Sequence, residues 1–83
     1  MTQEQLDKAT GEITRILTPF HKHAGERAAN IVMALQGCDS DIECLYAINE
    51  MVHDGHLPAS TPRFEIMAAW LQVAEIVFAP CLR

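Results

Sequence analysis

From Ala28 through Pro62 the chain contains no lysine and no arginine. Over all 83 residues, six basic side chains face eleven acidic ones, for a net charge of −5. That shortage of positive charge argues against direct binding to nucleic acid or to an anionic membrane, both of which need a field of Lys and Arg. Serine is scarce too: Ser40 and Ser60 both sit at expected helix starts, where capping accounts for them. There is no glycine-rich phosphate loop, no nucleophile elbow, and no pair of carboxylates in an apolar setting. The chain is therefore expected to be non-enzymatic, with no cofactor. Cys38, Cys44 and Cys81 form no C-x-x-C pair and are odd in number, which favours reduced thiols over a disulfide framework. Cys38 and Cys81 are expected at one end of the fold and Cys44 off the main core stripe. No apolar run approaches the ~20 residues of a membrane span. The polar start lacks the apolar centre of a signal peptide, so a cytoplasmic location is expected.

What is present is a globular balance of 49% apolar and 20% charged residues, enough for one domain over residues 1–83. Apolar residues recur at helical spacing, and no stretch alternates with period two. Thr2 and Gln5 read as a capping box opening a helix over 3–17, with Leu6, Ala9, Ile13, Ile16 and Leu17 on one face. Thr18-Pro19 reads as a cap followed by a first-turn proline, opening a second helix. Its stripe is Phe20, Ala24, Ala28, Ile31 and Leu35, and Gly37 is its expected left-handed stop. Ser40 and Glu43 open a third helix with Ile42, Leu45, Ile48, Asn49 and Val52 inward, ending at Gly55. Thr61-Pro62 opens a fourth that runs to about Ala79, where Pro80 halts it. Short connections favour an all-α, up-down four-helix bundle. The alternative is a three-helix core with the N-terminal helix packed across it.

Two surfaces stand out as candidate sites. On the third helix Glu43, Glu50 and Asp54 share a row, with Tyr46 at its edge and Asp39 and Asp41 extending it at the helix start. With no local counter-charge, that row suits a basic protein partner, including a nucleic-acid-binding surface whose phosphates the carboxylates would mimic. Helix-dipole stabilisation by Asp39, Asp41 and Glu43 is the competing explanation. On the fourth helix, Phe64, Met67, Leu71, Ala74 and Phe78 read as the core stripe. Ala69, Val73 and Ile76 form a second apolar row, with Trp70 and Val77 between the two. A helix apolar over most of its circumference is central in its bundle or half of an interface, and a C2 homodimer is the simplest form.

His21 and His23 on one side and His53 and His56 on the other are expected at a common end of the bundle. Four imidazoles could hold Zn²⁺ or Ni²⁺, although residues two apart on a helix point to different sides, and no structural metal site is expected. At the level of class, the size, acidity and helix-only pattern resemble small phage- or plasmid-encoded inhibitors, including anti-CRISPR proteins. That resemblance implies a non-enzymatic inhibitor or adaptor occupying a site on a larger protein or complex. The alternative function is a metal- or ligand-responsive dimeric regulator built on His21, His23, His53 and His56.

Overall fold

The computed structural model describes residues 2–82, with side chains described through Val73. Its four helices are α1 (Gln3–Leu17), α2 (Ala24–Leu35), α3 (Asp41–His53) and α4 (Arg63–Leu82), and no strand occurs among the described residues. The all-α four-helix bundle expected from the pattern is the fold. α1 packs against α2 and α4, and α3 packs against the same two, so α1 and α3 face each other across the diagonal. Ala9, Ile13 and Leu17 meet Ala28, Ile31, Val32 and Leu35 in the centre. Cys44, Ile48 and Met51 of α3 close that core, together with Ile66, Trp70 and Val73 of α4.

Local chemistry sets the helix ends. Thr2 accepts the Gln5 N–H at 3.2 Å while the Gln5 side chain accepts the Thr2 N–H at 2.8 Å, so the first capping box is complete. At α3 the box is half made. Ser40 accepts the Glu43 N–H at 3.2 Å, but the Glu43 carboxylate reaches back one residue further and accepts the Asp39 N–H at 2.6 Å. Gly55 ends that helix with φ of 81°, the left-handed turn that favours glycine. Leu57 follows and is fully buried, so the loop between α3 and α4 is pinned to the core by its own side chain.

Three boundary expectations are corrected, one of them at the end of α4, which runs through Pro80 to Leu82 instead of halting near Ala79. Thr18 is the C-cap of α1, its hydroxyl donating to the Thr14 carbonyl, and it does not open α2. Pro19 has no N–H to continue the helical ladder, and the chain turns until His23 caps α2 without a side-chain hydrogen bond. His21, Lys22 and His23 therefore lie in a connection, and Phe20 is exposed and not part of the core stripe. Nor is Gly37 left-handed: among the described residues Gly55 is the one with positive φ, and α2 ends at Leu35 with Gln36 as its C-cap.

Candidate functional site

The apolar faces of α3 and α4 are rotated from where their patterns placed them. In α3 the buried residues are Cys44, Ile48 and Met51, about a quarter turn round from the expected inward face at 100° per residue. Ile42 is left 65% exposed, and Leu45 is also open to solvent. In α4 the described part of the second apolar row is the buried one, and the expected core row is only partly so. Ala69, Trp70 and Val73, expected as an interface, are buried against the rest of this chain, Trp70 at 5% and Val73 at 3% exposure. Phe64, expected in the core, is 69% exposed, and Met67 and Leu71 are half-buried. Packed between α1 and α3, α4 turns the Trp70 indole into the core, and Phe64 then faces outward. Ile76 and Val77, the rest of the expected interface row, lie outside the described side chains, as does Cys81.

These rotations produce a feature that neither pattern announced. Ile42, Leu45, Tyr46 and Asn49 of α3, with Arg63 and Phe64 of α4, line one open recess of about 530 Å³. Ile42, Leu45, Tyr46 and Asn49 lie at spacings of three, four and seven residues, so they form one stripe about two turns long. Phe64 forms the opposite wall, placed there because Pro62 hands the chain to α4 beside that stripe; the Pro62 carbonyl accepts the Ile66 N–H at 3.4 Å.

The acidic row lies on the neighbouring face of α3, and none of its carboxylates lines this recess. Glu43, Glu50 and Asp54 are exposed, as expected, and lie about 100° round the helix from the apolar stripe. Tyr46, at 69% exposure, stands between stripe and row. Asp39 and Asp41 are exposed at the start of the same helix. Among the described residues, none of these five carboxylates makes an ion pair; the salt bridge present joins Arg15 and Glu12 on α1. Glu50 and Asp54 also border a smaller recess of about 190 Å³ against α2, with Asn30 and His56.

No family model, curated protein or solved structure matches this chain significantly.

The histidines do not assemble. Among the described residues, no three His, Cys, Asp or Glu side chains converge on a point. His56 instead meets Arg27, His23 and His53 are exposed, and the His21 Nε2 is buried without a hydrogen-bond partner. The Thr61 hydroxyl is likewise buried without one. Cys44, expected off the core stripe, is inside it. Burial pushes its thiol up to about 11, helped by neighbouring Cys38 and by the charges of Asp41 and Glu43. A thiol held protonated in this way is a poor nucleophile. Cys38 is half-buried, its sulfur 3.7 Å from the Ala34 carbonyl. No helix among the described residues is long and apolar enough to cross a membrane.

Proposed function

We propose that this chain is a non-enzymatic protein-binding module, an inhibitor or adaptor, that docks its partner through the groove between α3 and α4. The observation that carries the reading is the exposure of Ile42, Tyr46 and Phe64 around a single recess. Burying a large apolar side chain is worth about 1.5–3 kcal/mol. Leaving three of them outside forgoes an amount comparable to the roughly 5 kcal/mol net stability of a small domain. Contiguous apolar surface with a polar border marks an interaction site, and exposed aromatics are the side chains that anchor interfaces. Burial of Cys44 disfavours its thiolate, which removes that one side chain as a candidate nucleophile. The size and acidity, which resemble those of small phage-encoded inhibitors, support an inhibitory role without choosing its target.

The test is a double substitution, Tyr46→Ala with Phe64→Ala, at two positions where little packing is lost. Proteins captured from the native host by the wild type and lost by the variant define the partner, whose binding is then measured with purified components. The variant should bind at least about 30-fold more weakly, the size of a pair of interface anchors. Equal capture of every protein by both forms would remove the groove from consideration.

A further inference from the structure

Resting on that reading, we infer the chemistry of the occupant: a basic amphipathic helix of the partner protein, its apolar side laid in the groove and its Lys and Arg side chains over the acidic row. Three observations support it. First, the face of α3 next to the groove carries charge of one sign. Glu43, Glu50 and Asp54 are exposed and make no ion pair among the described residues, Glu43 accepting the Asp39 N–H, and Asp39 and Asp41 continue the field at the helix start. Carboxylates about 100° round from an apolar stripe match a segment whose cations lie beside its own apolar face. Second, the stripe from Ile42 to Asn49 is about 10 Å long at 1.5 Å per residue, so it takes anchors spaced i, i+3 or i+4, and i+7. Third, the fold presents no sheet edge among the described residues, so an extended peptide would find no backbone to pair with, whereas a helix satisfies its own.

The groove also sets a direction across its width. Arg63 is the cation lining the α4 wall, opposite the acidic row. A docked helix therefore places its basic edge toward α3 and a carboxylate or carbonyl toward Arg63. A helix basic on both edges fits less well than one basic on a single edge.

Fluorescence anisotropy with labelled 18-residue peptides tests this. One peptide has a leucine face with lysines along one edge; a second keeps the leucine face with glutamate for lysine; a third scrambles the first. The first should bind and the other two should not. Tyr46→Ala with Phe64→Ala should abolish binding. Replacing Glu43, Glu50 and Asp54 by Gln, Gln and Asn should weaken it by about tenfold, and raising salt should bring the wild type toward that variant. Equal binding of the scrambled peptide would show unspecific charge attraction, and equal binding of the glutamate peptide would show that charge is irrelevant; either overturns the proposal. So does failure of all three peptides, or sedimentation showing a dimer that Tyr46→Ala dissociates, since a second copy would then be the occupant. If the groove variant loses its host partner while no basic helix binds, the docking function stands and only the assignment of its occupant falls.

Discussion

Arg27 near the start of α2 brings its Nη1 to 3.1 Å from Nδ1 of His56, in the loop after α3. The guanidinium has only protons to give, so Nδ1 accepts, and this pair ties the beginning of one helix to the far side of its neighbour. It also commits one imidazole nitrogen of the histidine end to a cation. Replacing Arg27 with Ala should lower the unfolding free energy by about 1 kcal/mol, the net worth of a partly buried hydrogen bond. A double-mutant cycle with His56→Ala in urea melts should show coupling between the two sites. Additive losses would mean that the contact contributes nothing.

The burial of Val73 and the exposure of Phe64 on α4 make opposite predictions for two apolar residues only nine positions apart. Val73→Glu places a carboxylate in the core beside Trp70 and should cost upward of about 3 kcal/mol, leaving little or no folded protein. Phe64→Ala should change the melting temperature little, because the ring packs mainly against solvent. Circular dichroism on both variants decides it. A folded Val73→Glu protein would return that residue to the surface.

Glycine substitutions separate helix from turn. Gly25 lies exposed in the first turn of α2, where an added Cβ meets nothing within 4 Å, so Gly25→Ala should stabilise by about 0.5–1 kcal/mol. Gly55→Ala forces an L side chain into φ of 81° and should destabilise by about 1–2 kcal/mol. Denaturant midpoints should move in opposite directions. A shift in the same direction would contradict the assigned backbone at one of the two.

Cys44 predicts an alkaline weakness. Its folded thiol titrates near 11, above the ordinary value of 9.0, so the folded state holds that proton more tightly than the unfolded chain does. The stabilisation is complete below about pH 9 and is lost as pH climbs toward 11, by an amount on the order of 2 kcal/mol. Cys44→Ala should flatten the stability profile across that window. In alkylation followed by peptide mapping at neutral pH, Cys38 should react well before Cys44. Equal labelling would indicate that Cys44 is not enclosed.

Most of the fold was legible because caps and glycines act locally. Thr2 with Gln5, Ser40 with its N-terminal turn, and Gly55 each mark a boundary with chemistry spanning three or four residues. The rotation of α3 and α4 was less legible, because a helix apolar on more than half its circumference offers two rows of similar strength. Ile48 belongs to both candidate rows of α3, and only packing against α2 and α4 chooses between them. Signals for the right choice were there. Asn49 is an unsuitable core residue in the row that was expected inward, and Trp70 lies nearly opposite Glu65 and Gln72. The acidic row was legible because charge needs no partner to stay outside. The groove beside it was not, since it joins residues fourteen or more positions apart across a loop whose path depends on burying Leu57.

The uniform sign of the α3 face next to the groove also governs how copies of the chain treat one another. Two molecules meeting groove to groove would align carboxylate rows of like charge, so the apolar stripe that could make the protein sticky is guarded by mutual repulsion. At low ionic strength the solution should behave as a suspension of repelling particles, with a positive second virial coefficient. Added salt screens that repulsion over about 8 Å at physiological strength. Clustering at this face is therefore promoted by the same condition that weakens capture of a basic partner.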